Sequence, residues 1–189
     1  MTTVPSPLIL HRHTICDERL TRWFLSRGAQ PAAYGQPGSN LLDVAAANSS
    51  PVVFDLLLAH GAKLEDSDAL HSAAGEKEKQ PGRIEMMAHL LDLGMDINAI
   101  GRREYPAGRR IGRGTPLQSA VAPEEVERIE FLLKRGADRE VKNTLGQTPL
   151  EYAIARGFAT SEAVLKHSRE ERNAGTSVHI YDIGKEGVV

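Results

Sequence analysis

The chain has 189 residues, 41 % of them apolar and 25 % charged, enough for one domain with a continuous core and too few for two ordinary ones. Lys and Arg total 23 against 25 Asp and Glu, a net charge of -2, so no overall field draws the molecule to DNA, RNA or anionic lipid, and any basic character is local. The single cysteine, Cys16, excludes an internal disulfide and a zinc site built on several thiolates, and it fits a reducing compartment.

In chain order, MTTVPSPLILHRH comes first, with an apolar run only from Leu8 to Leu10. That is far short of a signal-peptide core, and no stretch approaches the roughly 18 apolar residues of a membrane span. A cytoplasmic location is expected, or a nuclear one, without membrane contact. Ser6-Pro7 opens a first helix weakly. TRWFLSRGA at 21–29 ends a second helix on Gly28, with Trp23 and Phe24 at core positions. Asn40 and Asp43 open NLLDVAA, and FDLLLAHGA at 54–62 runs to Gly61. DALHSAA starts at Asp68, and MAHLLDLGM at 87–95 runs to Gly94. TPLQSAV starts at Thr115, and IEFLLKRGA at 129–137 runs to Gly136. TPLEYAI starts at Thr148.

The pattern repeats. The four glycines stand 33, 33 and 42 positions apart, the last being 33 plus 9. Each unit makes sense as two short antiparallel helices. Thr115-Pro116 with Gln118 and Thr148-Pro149 with Glu151 supply an N-cap, a first-turn proline and a capping-box partner. The second helices carry apolar residues at helical spacing and stop at a glycine able to take the left-handed C′ conformation. Arg27, His60 and Arg135 meet free carbonyls in last turns. Small residues such as Ala45, Ala46, Ala73, Ala74, Ser119 and Ala120 let adjacent units approach closely.

TPLEYA and TPLQSA, together with FLLKRGAD and LLLAHGA, resemble ankyrin repeats over about residues 6 to 169. The resemblance implies an all-α solenoid of stacked helix-turn-helix units with short β-turn fingers. Residues 1–169 would form this domain, with repeats near 6–38, 39–66, 67–104, 115–147 and 148–169, followed by a C-terminal tail at 170–189. It also implies that His71, at the histidine of the TPLH signature, ties neighbouring fingers through backbone hydrogen bonds.

Departures from the period carry information. The finger from Gly61 to Asp68 is truncated. GEKEKQPGR at 75–83 adds residues as an extra helical turn or a polar inter-helix loop. Gly94 to Thr115 is nine positions longer than the usual finger, so one finger is enlarged by an insertion at 101–114. It holds five arginines, Arg102, Arg103, Arg109, Arg110 and Arg113, around a Tyr105-to-Gly108 turn. Arginine planes pair bidentately with carboxylates or phosphates, and Tyr105 offers a ring for stacking. An acidic protein surface is the expected partner. Five arginines without a wider basic face neutralise too few phosphates for firm nucleic-acid binding.

No HExxH, GxSxG, P-loop or dinucleotide turn occurs, and no cofactor is called for. His11, His13 and Cys16 lack an evident fourth metal ligand, so no metal is expected and they read as surface residues plus a small buried thiol. Asn48, His71, Glu76, Lys77, Glu124 and Arg156 would face the concavity of the stack. The preferred function is a protein–protein interaction module that binds through its fingers and groove, using the six insertion residues with Asn48, Glu76, Lys77 and Arg156. The alternatives are a small enzyme or small-molecule binder using an acid/His/Arg constellation in the groove, and a weak nucleic-acid binder. Val178 to Ile183 is β-prone, and a homodimer through the terminal repeat or the tail is a further expectation.

Overall fold

A computed structural model describes residues 12–31, 40–76, 81–102 and 113–167, and among these every regular element is helical. Helices α1 (Arg12–Ile15) and α2 (Glu18–Ser26) are followed by α3 (Leu41–Asn48) and α4 (Pro51–Ala59). A 3-10 turn (Leu64–Asp66) occupies the truncated finger before α5 (Ala69–Gly75) and α6 (Arg83–Asp92). Then come α7 (Pro116–Val121), α8 (Val126–Lys134), α9 (Pro149–Arg156) and α10 (159–167).

The caps follow from the sequence. Thr115 and Thr148 each complete a capping box, with Gln118 and Glu151 returning the bond, and Pro116 and Pro149 fill the first helical turn. Asn40 Oδ1 accepts the Leu42 N–H at 2.9 Å. Gly28, Gly61, Gly94 and Gly136 close the second helices with φ of 87°, 93°, 89° and 93°. The next residue in each case (Ala29, Ala62, Met95, Ala137) donates its N–H back to Phe24, Leu57, Leu90 and Leu132. That bond uses up a terminal carbonyl and reverses the chain.

The helices pack in two layers. In one, α1 lies on α3, α3 on α5, α5 on α7 and α7 on α9; in the other, α2 lies on α4, α4 on α6 and α6 on α8. The pairs α3–α4, α5–α6 and α7–α8 join the layers. Leu42, Ala46, Leu70, Ala74, Leu117 and Ala120 from the first layer meet Phe54, Leu57, Met87, Leu90, Ile129 and Leu132 from the second in one sealed core. Each fully buried leucine here contributes about 2 kcal/mol.

Two expectations fail at the N-terminal end. Trp23 is 47 % exposed, lying edge-on to Phe24 at 5.1 Å and beneath the Arg27 guanidinium at 4.9 Å. The buried face of α2 is Thr21 and Leu25 instead, because no described helix precedes α1 and α2 to cover the other side. Cys16 is exposed, not buried. Within 75–83, α5 ends at Gly75 and Glu76 is extended, so the helix gains no turn there.

Candidate functional site: the base of the arginine finger

The fourth position of each first helix, counted from its cap, reaches toward the next finger. Asp43 Oδ1 accepts the Asp68 N–H at 2.7 Å. Gln118 Nε2 donates to the Gln147 carbonyl at 2.7 Å. Between them, His71 Nε2 lies 2.9 Å from the Ala99 carbonyl and 3.1 Å from that of Gly114. Two carbonyls only accept, so Nε2 carries the proton and Nδ1 is the bare nitrogen. Nδ1 is buried and has no hydrogen-bond partner among the described residues. Burial pulls the His71 pKa below the ordinary 6.5, against the opposing pull of Asp68, the two carbonyls and Asp96. The ring is therefore neutral at physiological pH.

His71 thus holds both ends of the insertion. The Gly101 N–H donates to the Gly114 carbonyl at 3.0 Å, closing the loop at its root. The Arg102 N–H donates to Asp68 Oδ2 at 2.7 Å. On the other limb, the Arg113 N–H donates to Thr144 Oγ1 and the Thr144 N–H returns to the Arg113 carbonyl, both at 2.9 Å. Both glycines stand in close approach to neighbouring side chains. A Cβ on Gly101 would sit 3.2 Å from His71 Cδ2, and one on Gly114 would fall 2.0 Å from Gln118 Oε1, the oxygen that accepts the Thr115 N–H.

The side chains named from the sequence separate accordingly. Arg102 and Arg113 are exposed on this fixed root. Arg103, Tyr105, Arg109, Arg110 and Lys77 lie outside the described residues. Arg156 is exposed, with its guanidinium 5.6 Å from the Tyr152 ring. Glu76 is half-buried. Asn48 is 9 % exposed, and its Nδ2 donates to the Val44 carbonyl at 2.8 Å. Glu124 takes a left-handed backbone, φ 58°, and its Oε2 accepts the Thr160 N–H at 2.8 Å, closing the start of α10. Among the described residues no group of three or more His, Cys, Asp or Glu is placed to hold a metal ion, and no helix is long and apolar enough to cross a membrane.

With this geometry in place, the comparisons point in one direction. The chain is 28 % identical over 109 residues to human Ankyrin repeat and SOCS box protein 6, covering 57 % of this chain and 25 % of that protein. It is 32 % identical over 113 residues to Ankyrin repeat domain-containing protein SAT10 of Stachybotrys chartarum, covering 60 % of this chain and 5 % of the relative. A third similarity, 28 % over 122 residues, is to Potassium channel AKT1 of Arabidopsis thaliana, covering 64 % of this chain and 12 % of the channel. No protein-family model matches the chain. The chain therefore spans a quarter or less of the length of these relatives. The first two carry ankyrin repeats by name, and the all-helical architecture is consistent with a helical repeat of that kind.

Sequence reasoning missed two groups on the opposite edge of the helical layers. Arg83, 5 % exposed, donates Nη1 to the Ala46 carbonyl and Nη2 to that of Ser49. Arg128, 4 % exposed, donates Nη1 to the Ala74 and Glu76 carbonyls. Each satisfies the carbonyl end of the neighbouring first-layer helix, where free oxygens concentrate negative potential. Burial pulls both guanidinium pKa values down, Arg128 adding to the fall at Arg83, with Glu76 opposing at both. Ser49 Oγ on Ile15 and Ser161 Oγ on Val121 do the same for α1 and α7.

Proposed function

We propose that this chain is a protein-binding module, an ankyrin-type solenoid of about five helix-pair units over residues 1–169, with the enlarged finger as its principal contact. The observation that carries this reading is the fixed root. His71, Asp68, Thr144 and the Gly101–Gly114 bond hold Arg102 and Arg113 exposed on ordered backbone. Guanidiniums presented from a fixed root lose less freedom when they meet an acidic partner, and planar bidentate pairing with carboxylates suits them. Arg103, Tyr105, Arg109 and Arg110 would extend the same contact along the insertion. Arg156 with Tyr152, and Glu76 with Lys77, would contribute along the groove. The burial of Asn48 argues for a packing role there. Similarity to ankyrin-repeat proteins supports a protein partner.

The test is affinity capture with the wild-type chain and a variant carrying Ser at Arg102, Arg103, Arg109, Arg110 and Arg113, read by mass spectrometry. The reading expects acidic partners retained by the wild type and lost by the variant at unchanged melting temperature. A partner list identical for the two proteins would remove the finger from the function.

A further inference from the structure

The two ends of the helical array leave open the positions that its interior covers. Eight residues before the closing glycine stand Val53, Met86 and Arg128, all buried, but Leu20 at the same register is 47 % exposed. Four residues before it, Leu57, Leu90 and Leu132 are fully buried, whereas Phe24 is half-buried. At the far end, Ala46, Ala74 and Val121 lie six residues after the helix cap and are fully buried, yet Ile154 at that position is 52 % exposed. Two residues after the cap, Leu42, Leu70 and Leu117 are sealed and Leu150 is half-buried. The first set lies at the N-terminal end of the described residues and the second toward their C-terminal end.

These are therefore the two opposite halves of one junction, the junction made four times inside the molecule by α1 on α3, α3 on α5, α5 on α7 and α7 on α9. The polar pattern agrees. Glu151 occupies the position from which Asp43, His71 and Gln118 reach the next unit, but its hydrogen bonds go to its own Thr148. Its carboxyl pKa is lowered by the Thr148 N–H and hydroxyl. On α2, Asp17 caps the helix and Glu18 pairs with Arg22, leaving Arg19 and Arg27 exposed around Leu20 and Trp23. Arg19 and Arg27 at the first face are thus opposite in charge to Glu151 at the second, where Lys142 and Arg156 are exposed as well.

We infer that the C-terminal face of one copy (Leu150, Glu151, Ile154) docks on the N-terminal face of a second copy (Leu20, Trp23, Phe24), head to tail, in the register of the internal junctions. The inference rests on the stacked-repeat reading above. A heterologous contact of this type does not close on two subunits, so dimers and longer rows form as concentration rises.

Analytical ultracentrifugation of the full chain from micromolar to hundreds of micromolar tests it. The mean mass should rise with concentration, and the fluorescence of Trp23, the single tryptophan, should shift to the blue in parallel. Leu20→Lys and Ile154→Lys, both at exposed positions, should each weaken self-association by roughly tenfold or more. Mixing the two variants should restore a one-to-one complex, since each retains the face the other lacks. A wild type that stays monomeric, as it would if residues 168–189 covered the C-terminal face, overturns the inference. Loss of association in both variants without rescue on mixing also overturns it and indicates a symmetric contact. Failure of the stacked reading itself would appear differently, as non-cooperative melting of the wild type by circular dichroism. The five-arginine variant should self-associate like the wild type.

Discussion

The two edges of the helical layers are stitched by different means. Along the finger edge, one register position supplies the link at three successive junctions: Asp43, then His71, then Gln118. Along the opposite edge the carbonyl ends of α1, α3, α5 and α7 are satisfied by Ser49, Arg83, Arg128 and Ser161. They use two residue types, serine and arginine, without a common register, since Arg83 opens α6 while Arg128 is the third residue of α8. A periodic edge tolerates exchange of its linking residue, whereas an aperiodic edge depends on each side chain individually.

That contrast can be broken experimentally, most forcefully at the buried arginines. Arg128→Ala strands the Ala74 and Glu76 carbonyls in a sealed site and should cost about 3 kcal/mol in urea unfolding. Arg83→Ala should behave alike. Next in size, Gly114→Ala drives a methyl into Gln118 and should cost about 2 kcal/mol, with loss of the Thr115 capping box visible as faster amide exchange at Thr115.

On the finger edge, His71→Gln substitutes the residue type that links the following junction. It should cost only about 1 kcal/mol at neutral pH. The sign of the acid response follows from the lowered His71 pKa. Above 6.5 both folded and unfolded chains hold the ring neutral; below it the unfolded chain protonates first, so stability falls as pH drops through that value. A pH series of unfolding midpoints should show this fall in the wild type and a shallower one in His71→Gln. The smallest effect sharpens a detail of the other edge. Glu124→Gly and Glu124→Ala both lose the bond to Thr160, but only alanine keeps the left-handed strain, so glycine should be the more stable by about 1 kcal/mol. Equal melting of the two would mean the backbone relaxes.

The same contrast explains what could be read before any coordinates. Capping boxes at Thr115 and Thr148, and the left-handed closure at four glycines, are local chemistry repeated at one period, so the sequence displays them directly. The link made by His71 was legible through the resemblance to the TPLH signature. Gly101 and Gly114, by contrast, flank an insertion, and nothing in the period says that their backbones must meet beneath an imidazole. Arg83 and Arg128 carry no signal in the sequence, since only the neighbouring unit converts each into a buried donor. Trp23 misled in the opposite sense: its type and helical spacing fit a core, but among the described residues it lies at the uncovered end of the array.

The fingers are joined unit to unit beneath the arginine insertion. Native-state hydrogen exchange followed by NMR reads this directly at the amides of Asp68, Gly101, Arg102 and Thr144, which donate to Asp43, Gly114, Asp68 and Arg113. All four should exchange far more slowly than unstructured backbone, and those of Gly101 and Arg102 should accelerate selectively in His71→Ala. Unprotected exchange at these positions in the wild type would contradict the account.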